Sequence, residues 1–162
     1  MKLCIKIDSE GNLPSPFPAD AAGKLESVFE AELPLLCREL ENHAEIEFSV
    51  SFLDRAEMRD INKQYRGFDE PTDVLAFPLW EKGDFTPFGV LPLGDVVICP
   101  EEAGREHAPM PRLEALCLVL AHGFLHLLGW DHDTPEKEDN MWERQELLKS
   151  KLLNAVERGD PA

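Results

Sequence analysis

The chain lacks any long hydrophobic run. Of its 162 residues 43% are hydrophobic, but no stretch approaches the roughly 20 consecutive apolar residues that a transmembrane helix needs. The first seven residues alternate like a β-strand and have neither the apolar segment nor the cleavage site of a signal peptide. The sequence therefore predicts a cytoplasmic protein without a membrane partner.

Cysteines are also few. The four are scattered without a Cys-x-x-Cys pair, and most have apolar neighbours: Cys4, Cys37, Cys99 and Cys117. Such cysteines are typical of reduced, buried thiols in a cytosolic protein, and they argue against a disulfide-stapled secreted domain.

Basic residues are scarce. Lys and Arg number 16 against 32 Asp and Glu, which gives a net charge of −16 at pH 7. Because phosphate contacts supply much of the affinity for nucleic acid, the chain as a whole should repel RNA. One exception is a basic stripe at helical spacing, which precedes Arg66 and consists of Arg55, Arg59 and Lys63. The stripe either contacts phosphates or is a solvated face paired with Asp54, Glu57 and Asp60.

Three of the five histidines fall within eleven residues, in the pattern H-x-x-x-H-x-x-G-x-x-H. On a helix, His122 and His126 share one face, and Gly129 lets the chain turn back so that His132 approaches them. Three converging imidazoles predict a zinc site with one coordination position left open for water, as catalytic zinc sites have. A structural site would need a fourth ligand, such as Asp131, Asp133 or a distant cysteine.

The residue after the first of these histidines is Gly123. In zinc proteases a glutamate at this position is the general base, so peptide hydrolysis by the usual route is disfavoured. Asp131 and Asp133 flank His132; they either orient imidazole N–H groups or are polar residues of a solvated loop.

The patterning predicts a single domain over residues 1–162, an α+β fold in which about four strands form a mixed sheet packed with about five helices. Strands are expected at 1–8, 46–52, 74–79 and 96–99, and helices at 19–42, 54–65, 111–128 and 136–156. Asp54 and Glu57 predict a capping box, and Pro34 should kink or split the first helix. Residues 82–93 are expected to form a loop in which Phe85, Phe88 and Leu91 pack onto the domain or stack on a base.

Several stretches together resemble one known family. The H-G-x-L-H-L-x-G-x-D-H signature of residues 122–132 is similar to that of the YbeY proteins, which are bacterial endoribonucleases and ribosomal RNA maturation factors. Residues 62–66 match the N-x-x-Y-R pattern of this family, residues 71–78 match P-T-D-V-L-S-F-P, and residues 94–98 resemble its L-G-D-I-x-I strand. The departures are Ala76 for the usual Ser and Trp130 for the usual Tyr.

The resemblance implies a metzincin-like zinc helix and one Zn²⁺ per chain, held by His122, His126 and His132. It also implies hydrolysis of single-stranded RNA in small-subunit rRNA 3′-end maturation and in ribosome quality control. Arg66 matches the functional arginine of the family and is expected to pair with transition-state charge, or else to fix its loop to Asp69 or Asp73. Expected partners are single-stranded rRNA and the small ribosomal subunit or its proteins, whose basic surface would offset the acidity of the chain.

Two other functions stay open on the residues alone. One is a metal-dependent hydrolase of another substrate, and the other is a non-catalytic ribosome-assembly factor with a structural zinc. His107 is a minor further candidate for proton transfer. The attacking nucleophile is either water or the 2′-hydroxyl of the RNA.

Overall fold

The computed structural model describes residues 2–7, 13–40, 45–80 and 89–157. These ranges contain four strands, five α-helices and a short 3₁₀ helix at Arg38–Leu40. In chain order the strands and α-helices are β1 (Lys2–Ile7), α1 (Ala21–Leu36), β2 (Glu45–Phe52), α2 (Arg55–Arg66), β3 (Val74–Pro78), β4 (Val90–Ile98), α3 (Pro100–Glu106), α4 (Arg112–Leu127) and α5 (Pro135–Glu157).

The four strands form one mixed sheet in the order β1-β2-β4-β3. β1 pairs with β2 and β2 with β4 in parallel, whereas β3 runs antiparallel to β4, with Val74 opposite Ile98 and Pro78 opposite Gly94. This confirms the predicted α+β class, the mixed sheet and the number of strands and helices for the described residues. α3 was not among the predicted elements.

The core lies between the sheet and the helices α1, α4 and α5. Phe29 of α1, Phe48 of β2 and Phe124 of α4 meet there, with ring centroids 4.4 to 5.3 Å apart. α4 buries residues around most of its circumference, as its wide apolar stripe predicts. None of the helices in the described ranges is long and apolar enough to cross a membrane.

Local signals set the boundaries of α2 as expected. The Asp54 carboxylate accepts a hydrogen bond from the Glu57 N–H at 2.8 Å, and the Glu57 side chain accepts one from the Asp54 N–H at 3.2 Å. Gly67, at φ +78°, ends the helix directly after Arg66. The predicted capping box is thus confirmed.

The prediction of a loop over residues 82–93 was wrong in its last part, because β4 begins at Val90 and buries Leu91. Pro92 disfavours a regular strand, but here it lies at a register shift, where Glu47 faces Pro92 and Phe48 faces Gly94. A bulge accommodates a proline that a regular ladder would not. Phe85 and Phe88 lie outside the described residues.

Two smaller expectations also need correction. α1 ends at Leu36, so Pro34 occupies its last turn instead of splitting a helix that reaches residue 42. Residues 41 and 42 lie outside the described ranges. Cys37, Cys99 and Cys117 are buried as predicted, but Cys4 is exposed, because alternate residues of β1 point away from the core.

Candidate metal centre

The turn after α4 brings the histidine motif together. Gly129, at φ +92°, follows the helix, and its N–H donates to the His126 carbonyl at 3.0 Å. The Trp130 N–H donates to the Leu125 carbonyl, also at 3.0 Å. These two bonds form a Schellman motif, which reverses the chain and returns it toward the face that carries His122 and His126.

The segment after the turn holds His132 through its backbone. The Asp131 carboxylate accepts a hydrogen bond from the His132 N–H at 2.7 Å. Asp133 instead forms an ion pair with Lys137 at 3.3 Å. No hydrogen bond therefore joins either of these carboxylates to an imidazole among the described residues, and Asp131 orients His132 from the main chain.

The three imidazoles converge. The Nε2 atoms of His122 and His126 are 3.0 Å apart, and one ligand nitrogen from each of His122, His126 and His132 lies within 4.8 Å of the others. Zinc–nitrogen bonds of 2.0–2.1 Å in tetrahedral geometry place two ligand nitrogens about 3.3 Å apart. Small side-chain rotations would bring all three nitrogens to that spacing.

The electrostatics also suit a metal. Burial lowers the pKa of His122, and burial together with the charges of His122 and His132 lowers the pKa of His126 to about 4. Both imidazoles are therefore neutral at pH 7 and have a lone pair to donate. The Gln145 Oε1 lies 2.6 Å from the His122 Nδ1, so Nδ1–H donates to it and the Nε2 lone pair faces the other histidines.

Sequence reasoning did not identify Gln145. Gln145 lies on α5 at helical spacing with three buried apolar residues, Met141, Leu148 and Leu152. A polar residue within an apolar stripe was the available signal, because such a residue needs a polar partner inside the protein.

The donor set fits a zinc ion with an open coordination position. Among the described residues, no fourth histidine, cysteine or carboxylate joins the cluster of His122, His126 and His132. A tetrahedral structural site would require one.

Arg66 lines the same cleft as this cluster. A cavity of about 440 Å³ is lined by the three histidines, by Arg66 and by residues 74–76 of β3. The Arg66 guanidinium lies 5.3 Å from the Phe68 ring centroid, and no described acidic residue forms an ion pair with it. The cleft therefore presents three imidazoles together with a guanidinium that no described acidic residue neutralises.

Comparison with known proteins identifies the family. Residues 19–153 match the family model described as Endoribonuclease YbeY. The chain belongs to the YbeY family. This confirms the resemblance drawn from the motifs.

Individual YbeY relatives cover most of the chain. A protein named Endoribonuclease YbeY from Caldanaerobacter subterraneus subsp. tengcongensis is 38% identical over 144 residues, which are 82% of this chain and 90% of that protein. One of the same name from Corynebacterium diphtheriae is 37% identical over 130 residues, which are 75% of this chain and 66% of that protein. A solution structure from Thermotoga maritima shares 27% identity with a TM-score of 0.53 and covers 99% of this chain and 98% of its own.

Three of the four stretches that resemble the YbeY pattern meet at this cleft. The histidine signature lies on α4 and the following turn, Arg66 ends α2, and residues 74–76 form the β3 wall. Trp130, where the YbeY pattern has Tyr, donates its Nε1–H to the Leu36 carbonyl at 3.2 Å and so attaches the turn to α1. Trp130 therefore helps to hold in place the turn that follows α4.

The packing around Gly123 explains why the YbeY signature has a glycine after its first histidine. A Cβ atom at this position would lie 2.6 Å from Cγ1 of Val96 in β4, because α4 packs directly on the sheet here. A glutamate has no room at position 123, so this fold excludes the general base of the zinc proteases at that place.

The basic stripe is largely neutralised. Arg55 pairs with Glu102 at 2.5 Å, Arg59 with Asp69 at 2.7 Å, and Lys63 lies 3.9 Å from Asp69. These partners come from the loop after α2 and from α3 rather than from the acidic residues within the stripe's own segment. The stripe is thus a paired face and offers little free charge to phosphates.

Asp73 orients the backbone at the start of β3. One of its oxygens accepts from the Val74 N–H at 2.8 Å, and the other lies 2.8 Å from the His107 Nε2. Burial and the charge of Asp73 raise the pKa of the adjacent Glu106 to about 7. Asp73 therefore fixes the start of β3, and neither it nor Asp69 pairs with Arg66.

Proposed function

We propose that this YbeY-family protein is a zinc-dependent endoribonuclease that cleaves single-stranded RNA. The supporting observation is that three imidazoles converge in an open cleft that Arg66 also lines, and no described acidic residue forms an ion pair with the Arg66 guanidinium. The names of its relatives, Endoribonuclease YbeY, agree with this chemistry.

His122, His126 and His132 would hold the ion. Bound there, zinc supplies a Lewis acid for a phosphoryl oxygen and brings the pKa of a water ligand to about 7, which makes a nucleophile available without a protein carboxylate. Gln145 keeps His122 in the tautomer that binds through Nε2, and Asp131 keeps His132 in place.

Arg66 would bind the phosphodiester. Its guanidinium can donate two parallel hydrogen bonds to two non-bridging oxygens, and these bonds strengthen as negative charge gathers on those oxygens in the transition state. Because no ion pair with a described acidic residue holds the side chain, a phosphate meets no competing carboxylate at this position.

The biological role we propose is maturation of small-subunit rRNA 3′ ends and ribosome quality control in the cytoplasm. The net charge of −16 and the paired basic stripe leave little basic surface for RNA. The small ribosomal subunit or its basic proteins would therefore position the RNA against this chain, while the cleft performs the cleavage.

The test is cleavage of end-labelled single-stranded rRNA by the wild type, His126→Ala and Arg66→Lys, with Arg144→Ala as a matched control on the exposed face of α5. We expect one zinc per wild-type chain by elemental analysis. We also expect His126→Ala to remain folded with cleavage abolished, Arg66→Lys to fall about a hundredfold or more, and Arg144→Ala to cleave normally.

Two results would contradict the proposal. Equal residual cleavage in the wild type and His126→Ala would indicate a contaminating nuclease. Unfolding of His126→Ala, seen by circular dichroism, together with an inactive but zinc-loaded wild type, would indicate a structural zinc.

A further inference from the structure

A second cavity adjoins the cleft of the candidate metal centre. It has a volume of about 620 Å³, and its lining includes Asn62, Arg66, Phe68, Thr72, Arg105 and Glu106. Arg66 lines both this cavity and the cleft with the histidines. A ligand held by Arg66 would therefore reach both spaces, and the second one is within the size range of ligand sites in proteins.

Phe68 presents an aromatic face in this cavity. Its side chain is 52% exposed, and the Arg66 guanidinium lies 5.3 Å from its ring centroid. It follows Gly67, whose left-handed backbone ends α2 and turns the chain toward the cavity. An exposed ring beside a guanidinium is an arrangement on which nucleobases stack in single-stranded RNA complexes.

The charges of the cavity favour a base over a phosphate. Its lining carries three arginines and three glutamates, and Glu102 already neutralises Arg55 at 2.5 Å and Arg105 at 3.2 Å. Apart from Arg66, the charged or acidic side chains that remain are Glu70 and Glu106. The carboxylate of Glu70 repels phosphate, and the carboxyl oxygens of both residues can accept hydrogen bonds from the amino groups of bases.

Asn62 is an independent sign that polar groups belong here. It is 2% exposed, and its Nδ2–H donates to the Glu70 carbonyl at 2.7 Å. Its Oδ1 has no hydrogen-bond partner among the described residues. Buried acceptors without partners are uncommon in native proteins, and a bound polar ligand or water normally satisfies them.

We propose that the cavity beside Arg66 is a nucleobase subsite, in which Phe68 stacks on the base of the nucleotide next to the scissile phosphate. The carboxylates of the lining favour bases with an exocyclic amino group, namely adenine, cytosine and guanine, over uracil. This inference rests on the proposed function. Phe68 is a specificity residue in this scheme and takes no part in the bond cleavage.

The experiment measures binding separately from cleavage. Fluorescence anisotropy follows 5′-labelled hexacytidylate and hexauridylate on full-length protein in the His126→Ala background, at low salt. The variants added are Phe68→Ala, Phe68→Trp and, as a matched control, Leu35→Ala, which truncates another exposed apolar side chain on α1. Folding of each variant is checked by circular dichroism.

We expect Phe68→Ala to weaken hexacytidylate binding about 5- to 100-fold, which is the range of one lost base stack. Phe68→Trp should restore it, Leu35→Ala should leave it unchanged, and hexacytidylate should bind more tightly than hexauridylate. In the zinc-loaded protein with His126 intact, Phe68→Ala should raise KM while kcat changes little.

Equal binding by Phe68→Ala and Leu35→Ala would overturn the subsite, as would the absence of any binding or of a preference between the two oligonucleotides. A Phe68-dependent affinity in a protein that cleaves no RNA would instead refute the proposed function and leave the subsite intact.

Discussion

Substitution of Gly123 by alanine tests whether α4 lies as close to the sheet as the structure shows. The added Cβ would lie 2.6 Å from Cγ1 and 3.1 Å from Cγ2 of Val96, whereas carbon atoms normally approach to about 3.5 Å. Val96 is fully buried in β4 and has no free space into which to rotate. We therefore expect the substitution to force α4 and β4 apart or to drive Val96 from its rotamer.

The magnitude follows from two opposing terms. Overpacking of this kind costs about 1–3 kcal/mol, while replacing glycine by alanine within a helix stabilises it by about 1 kcal/mol. The free energy of unfolding should thus fall by roughly 0–2 kcal/mol in Gly123→Ala. A second substitution, Val96→Ala, removes both clashing methyl groups and isolates the packing term.

The assay is urea denaturation of the wild type, the two single variants and the double variant. Because Val96→Ala makes room for the new Cβ, the double variant should be more stable than the sum of the single effects predicts, by at least about 1 kcal/mol. Gly23→Ala is the matched control, since Gly23 lies in α1 with no atom within 4 Å of an added Cβ. It should gain up to about 1 kcal/mol.

A Gly123→Ala protein that gains stability like Gly23→Ala, with no coupling to Val96→Ala, would refute the close packing. It would also remove the structural reason for the absence of a glutamate at position 123. A position that accepts a Cβ atom without strain could also accept the first atoms of a longer side chain.

Three further predictions concern the supports of the site. Gln145→Leu should weaken zinc affinity about 10- to 100-fold by releasing the His122 Nδ1–H, measured by competition with a chelator, while Gln145→Glu should retain it. The pKa of Glu106 is raised from 4.5 to about 7, so its contribution to stability is full below pH 4.5 and is lost as the pH rises to about 7. We expect this loss to lower the urea midpoint of the wild type between about pH 5 and pH 8, and we expect Glu106→Gln to lack that contribution. Asp54→Ala should cost about 1 kcal/mol in the same denaturation assay by opening the capping box with Glu57.

The local geometry of the candidate site that the sequence predicted correctly depends on contacts between near neighbours in the chain. His122 and His126 share a face because they are four residues apart on a helix, and Gly129 reverses the chain because a positive φ suits glycine. The capping box of α2 is local in the same sense. Each of these features is specified within about one helical turn, so spacing alone was enough to predict it.

The parts that were missed depend on contacts distant in sequence. Glu102 lies 47 residues after Arg55, and Gln145 lies 23 residues after His122. The first half of β4 was missed because Pro92 and Gly94 argue against a strand locally, while pairing with β2 across a register shift accommodates them. No pattern within one segment reveals which distant residue completes such a pair.

In this protein, general affinity for RNA and selective recognition of RNA depend on different groups. The basic stripe on α2 forms ion pairs with Asp69 and Glu102, whereas Arg66, at the end of the same helix, lines both cavities and has no ion-pair partner among the described residues. General affinity for RNA grows with the number of phosphates that cations neutralise, and the lining of this cleft supplies one guanidinium. On the proposed function, recognition at this cleft would come from contacts that do not depend on net charge, namely those to a zinc ion held by the histidines, the bidentate hydrogen bonds of Arg66 and stacking on Phe68. We therefore expect an acidic nuclease of this kind to have little affinity for RNA that is not presented to it, which suits the proposed role on one rRNA end within the ribosome.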